Sequence, residues 1–153
     1  MNIEENLKNH QIELEDASTP AGKYVPYIIT NKLVFISGQL PFKQGKIPIT
    51  GIVGETVSSE DAIEMAKLCA LALISQLKSA CDGDLNKVSR VVKLGGFVAS
   101  ASYFTSQPTI INGASDIMVK AFGEQGKHSR FAVGVSSLPL NAPVEIEGIF
   151  ELK

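Results

Sequence analysis

The residues best equipped for chemistry lie close together in the run KHSRFAVGVSSLPLNAPVEIEG, residues 127–148. Arg130 stands at the mouth of one apolar run, and Glu145 and Glu147 punctuate a second run fifteen positions on. A guanidinium is permanently charged and presents a planar fork that matches a carboxylate through two parallel hydrogen bonds. Beside a glycine-rich stretch it is suited to capturing the carboxylate of a small ligand. An ion pair with Glu145 or Glu147 would use the same cation for structure alone. The two glutamates project to one face of a strand, because strand side chains alternate. So close together they repel unless a cation or water lies between them. A solvated sheet face accounts for both; a carboxylate beside an oriented water could equally move protons for a hydrolysis. His128 reads either as a general base or as a solvated loop histidine.

Other chemistries lack their residues. The run GEQGKHS (123–129) has a lysine after glycine, but not the strand–loop–helix setting and spacing of a phosphate-cradling loop. Cys69 and Cys81 are the only cysteines and His10 and His128 the only histidines, so a zinc site lacks ligands. The two thiols read as ordinary residues of a reducing compartment. The net charge is −2, and the 14 Lys and Arg are scattered without a basic stripe. That argues against general nucleic-acid binding, though not against a small anion held by one or two basic groups. The opening MNIEENLKNH is polar and acidic, the reverse of a signal peptide. No apolar run approaches the roughly 18 residues of a membrane span. These features predict a soluble, cytoplasmic protein.

The elements that must position these residues follow from periodicity. The 153 residues, 44% apolar and 20% charged, suit one globular domain over 1–153. QIELEDAS (11–18) alternates and predicts a short first strand, closing an N-terminal extension over 1–18. YVPYIIT (24–30) predicts an edge strand and NKLVFISG (31–38) a third, joined by a tight turn at Asn31-Lys32. The stretch 39–57 is rich in Gly and Pro and predicts a long surface loop. Residues 58–80 predict a helix capped by Ser58, with an apolar stripe that includes Ala62, Ala66, Cys69, Leu73 and Leu77. A strand over 88–100 carries Gly95-Gly96, which points to a bulge or a close backbone approach. A second helix is expected near Asn112, with Ile117, Met118, Ala121 and Phe122 as its apolar patch. Two final strands follow. The prediction is an α+β domain, a sheet with two helices packed on one face. Val133, Val135, Ile146 and Phe150 exceed what two helices can hide, so the other face is expected to be covered by oligomerisation.

In order along the chain, TPAGKY with Tyr24, FISGQLP (35–41), Asn112 in IINGASDIM, Arg130 after His128-Ser129, and SSLPLNAPVEIEG resemble the RidA/YjgF family of enamine/imine deaminases, once labelled endoribonucleases. The likeness runs from about residue 19 onward, and the steps of thirteen from Tyr24 to Ser37 and fifteen from Arg130 to Glu145 agree with it. The resemblance implies a chorismate-mutase-like fold of the bacillus type, assembled as a homotrimeric barrel with a site in each subunit cleft. It implies catalytic roles for Arg130, which binds the substrate carboxylate, and Glu145, which positions the hydrolytic water. It also implies substrate contacts from Tyr24, Ser37, Gly38 and Asn112, with the Tyr and Ser supplied by the neighbouring chain. Ala132 stands where the family has a Cys, and His128-Ser129 where it has Pro-Ala. With a longer 45–57 stretch and N-terminus, these departures place the chain in a divergent subgroup.

The expected activity is hydrolysis of 2-imino or 2-enamino acids to 2-oxo acids and ammonia. It needs no cofactor or metal, because a protonated imine is already electrophilic. A non-catalytic trimer that binds small carboxylates is the alternative, and an endoribonuclease the third reading.

Overall fold

The computed structural model describes residues 2–20 and 22–153. Its strands are β1 (Tyr27–Thr30), β2 (Leu33–Gln39), β3 (Val88–Ala99), β4 (Ser129–Val135) and β5 (Val144–Leu152). They lie side by side in the order β1-β2-β5-β3-β4, with only β3 and β4 parallel. The helices are α1 (Ile3–Asn9), α2 (Ser59–Ala80) and α3 (Gln107–Phe122). This is the expected α+β architecture, with one helix more than foreseen.

Helix α2 forms where the sequence places it. The Ser58 hydroxyl accepts the Asp61 N–H at 3.2 Å, Glu60 and Asp61 lie in the first turn and Lys78 in the last, matching the helix dipole. Its stripe of Ala62, Ala66, Cys69, Leu73 and Leu77 is fully buried against the sheet. Helix α3 begins at Gln107, five residues ahead of the expected start near Asn112. Pro108 lies in its first turn, where a missing N–H costs nothing. The N-terminal residues form α1 rather than only a polar lead-in. Asn2 caps it, and Ile3 and Leu7, one helical turn apart, are buried. Residues 11–18 do not make the predicted strand. Ile12 and Leu14 do share one partly buried side, but no ladder receives the backbone; this segment lies on α2, where Gln76 Nε2 donates to Ser18 O at 2.8 Å.

The glycine pair in β3 serves close approach and not a bulge. Residues 94–98 stay in register with both neighbours, while the irregularities fall earlier, between Val88 and Arg90 and between Val91 and Lys93. A methyl on Gly96 would press into the Ile111 side chain of α3. Ile146 and Phe150, expected to add to an uncovered face, are instead fully buried beneath the helices. The opposite face still exposes Ile28, Phe35 and Val133, each more than a third accessible. Phe97 and Phe131 meet there edge to face, with centroids 5.3 Å apart.

The two long helices cross where Gly113 faces the backbone of α2, since an added methyl would stand 2.6 Å from the Ile63 carbonyl oxygen. Neither partner can yield without moving a helix. Gly113→Ala is therefore expected to destabilise the fold by about 1–3 kcal/mol, the usual cost of overpacking. Urea denaturation checks it; an unchanged midpoint would contradict the crossing.

Candidate functional site

The expected site residues fall into two groups on opposite faces of the sheet. The first is built on the β2–β5 pair. Their register slips between Ile36 and Gln39, a bulge that contains Ser37 and Gly38. The Ser37 hydroxyl donates to Val25 O at 2.9 Å and its N–H to Pro26 O at 2.9 Å. These bonds tie the bulge to the chain just after Tyr24, a residue 54% exposed. Gly38 has no side chain because the Glu145 carboxylate occupies that space. Glu145 also lies opposite Phe97 in the ladder. Burial raises its pKa, and Glu147 raises it further. Glu147 lies against Gly95 in the same way. Behind the strand, Cys69 is fully buried and its thiol pKa is raised well above its usual value by burial, then by Glu145. It is an inert part of the core.

The second group stands at the edge strand β4 on the helix face. Arg130 is aligned with Leu94, a core residue, so its side chain turns to α3. There Nη1 donates to Ser115 Oγ and Nη2 to Pro108 O, both at 3.1 Å. Asn112 is exposed on the same stripe of α3, four residues after Pro108 and three before Ser115. His128 is not the solvated loop histidine considered from sequence. It is partly buried, with both ring nitrogens engaged, Nε2 by Ser115 Oγ at 2.9 Å and Nδ1 by Gly126 O at 2.6 Å. Ser100 N–H donates to Val135 O, so Val135, Val133 and Phe131 point their backbone groups at β3. Arg130, Ala132 and Gly134 then turn theirs to the open edge.

The ion pair considered between Arg130 and Glu145 or Glu147 is absent among the described residues. Strand geometry forbids it. Arg130 and Glu145 flank β3 at positions 94 and 97, roughly 14 Å apart at 3.3 Å per residue and 4.8 Å per strand, and they face opposite ways. A groove of about 480 Å³ does exist in the single chain, but it runs between residues 11–18, 40–44 and α2 and contains none of the candidate residues. The perturbed carboxylate with its bulge and the anchored guanidinium lie away from that groove, on opposite faces of the sheet. Ser115 was missed from the sequence, although its spacing from Asn112 on a helix was the available signal.

A family model described as YjgF/chorismate mutase-like, putative endoribonuclease, matches residues 4–151. Protein TCP17 of Trypanosoma cruzi is 42% identical over 148 residues, 96% of this chain and 92% of its own length. The structure of protein Atu1372 from Agrobacterium tumefaciens is 46% identical, with a TM-score of 0.92 over 99% of this chain and 92% of that one. A structure from Shewanella oneidensis MR-1, also described as a putative endoribonuclease, is 31% identical, with a TM-score of 0.95 over 99% of this chain and 100% of that one.

The raised pKa of Glu145 makes a stability prediction. A carboxyl whose pKa is raised by folding contributes fully below its unfolded value, near 4.5, and that contribution is lost as pH rises through the folded value. Glu145→Gln should therefore melt above the wild type at pH 7, with the gap closing near pH 4. Thermal melts at the two pH values decide it, and a variant less stable at pH 7 would contradict the assignment.

Proposed function

The chain belongs to the YjgF/chorismate mutase-like family, and from that premise we propose that it hydrolyses reactive 2-imino or 2-enamino acids to 2-oxo acids and ammonia. The observation that supports this most is Arg130. Two of its five donors are fixed on α3, and the rest are available beside the unpaired N–H of Ala132 and the exposed Asn112. That combination suits a carboxylate. Water then adds to the protonated imine carbon as Glu145 accepts its proton. Glu145 returns that proton to the amine nitrogen, and the carbon–nitrogen bond breaks as ammonia leaves. The hydroxyl, losing its own proton, becomes the 2-oxo carbonyl. A carboxyl with a raised pKa is a better base for this than an ordinary one.

One small substrate cannot span Arg130 and Glu145 of a single chain. The reading therefore requires a second copy. We place Arg130 and Asn112 of one chain against Glu145, Ser37, Gly38 and Tyr24 of the next, in a homotrimer closed through the open sheet faces. The exposed Ile28, Phe35 and Val133 support that closure, since each large apolar side chain contributes roughly 1.5–3 kcal/mol on burial. The separation of the two groups also favours a second reading, a trimer that binds small carboxylates without turnover.

Iminobutanoate generated in place by a dehydratase should decay faster with the protein than in buffer. Arg130→Ala should slow it at least about tenfold, the effect of one charge-assisted bond of about 1.5–3 kcal/mol. No acceleration, with 2-oxobutanoate still bound by all but Arg130→Ala, would establish the binding reading instead. A shared site has its own signature. Arg130→Ala and Glu145→Gln, each inactive, should regain activity when unfolded and refolded together, with about a quarter of sites intact in random trimers. Sedimentation equilibrium should give three times 16.4 kDa; a monomer mass would remove the shared site.

A further inference from the structure

Arg130 is the last member of a hydrogen-bond chain whose direction is set at its far end. The Gly126 carbonyl can only accept, so His128 Nδ1, 2.6 Å away, carries the hydrogen. Burial, joined by the charge of Arg130, lowers the His128 pKa against the raising effect of the Gly126 bond. The ring is thus neutral near pH 7 and owns one N–H, already used. Nε2 must accept, and the single hydroxyl hydrogen of Ser115 points at it across 2.9 Å. The lone pairs of Ser115 Oγ are left for Arg130 Nη1 at 3.1 Å. Without the imidazole, that hydroxyl is free to bond the carbonyl of Ile111 one turn back, as helical serines do. The acceptor that holds the guanidinium would then be turned away.

We infer that Ser115 and His128 are positioning residues that fix the guanidinium of Arg130 for a ligand carboxylate, and that His128 does so as the Nδ1–H tautomer. The inference rests on Arg130 being the carboxylate anchor. Its physical content is preorganisation. A long, rotamer-rich side chain is ordered before the ligand arrives, so binding does not bear that cost. Nη1 and Nη2 each give one hydrogen to α3, which sets the plane of the guanidinium and the direction of its remaining donors. Both act through Arg130, and neither has to touch the ligand to do so.

Two measurements test it. Nitrogen-15 spectra of wild-type His128 at pH 7 should show Nδ1 protonated and Nε2 bare; the opposite tautomer overturns the inference with no ligand involved. Calorimetry with 2-oxobutanoate should then show Ser115→Ala and His128→Ala binding about threefold to tenfold more weakly, the scale of one immobilised side chain. Ser115→Thr, which keeps the hydroxyl, should restore the affinity, a rescue that mere loss of packing would not give. Wild-type binding with Ser115→Ala equally tight overturns the relay and leaves Arg130 as anchor. A wild type that binds no 2-oxobutanoate overturns the carboxylate reading itself, and the relay's role in binding with it.

Discussion

Strand β5 pairs with β2 on one side and β3 on the other, so it cannot change register without breaking two ladders at once. That constraint orders the rest. Val144, Ile146 and Phe150 go under α2 and α3, and Glu145 and Glu147 go to the open face. The buried set closes the core. The other set leaves a carboxylate partly dehydrated between Gly38 and Phe97, where its charge is poorly solvated. The core packing and the perturbed carboxylate are thus two sides of one strand. Moving Glu145 by a single position would exchange it with a core residue.

Most of the architecture was legible because it depends on short-range rules. The cap at Ser58, the Asn31-Lys32 turn and the alternation of β5 act over a few residues, and each appears where the sequence puts it. What failed depends on partners. Ile12 and Leu14 alternate as a strand would, yet their segment has no ladder to join, and alternation cannot report a missing neighbour. Helix α1 is too short to hold itself, with seven residues. It forms because Asn6 Nδ2 reaches Ala121 O at 3.0 Å and Asn86 Oδ1 accepts the Ile3 N–H at 2.9 Å, contacts that no local pattern encodes.

For the candidate residues, sequence supplied the types but not the arrangement. Residue types marked Arg130 and Glu145, and spacing tied them to a family pattern. The side of the sheet that each occupies follows from the register of β3 with both β4 and β5, which sequence alone does not give. The earlier alternative of an ion pair fails on that register. Ser115 shows the reverse case. Its position on α3 was readable from helical spacing, yet nothing marked it until Arg130 was seen turned inward.

The central place of β5 also bears on how the chain comes together in time. It is the last of the five strands to leave the ribosome, and its partners β2 and β3 emerge well before it, with Val34 waiting for Phe150. Until then β2 has only the short β1 beside it, and β3 has only β4. A two-stranded ribbon is marginal by itself. Nascent chains of this protein therefore hold a long apolar helix and the open edges of β2 and β3 until the end of their synthesis, the condition in which holding chaperones act. The same long-range closure places it among slow folders, whose rate is governed by loop entropy rather than by local helix formation.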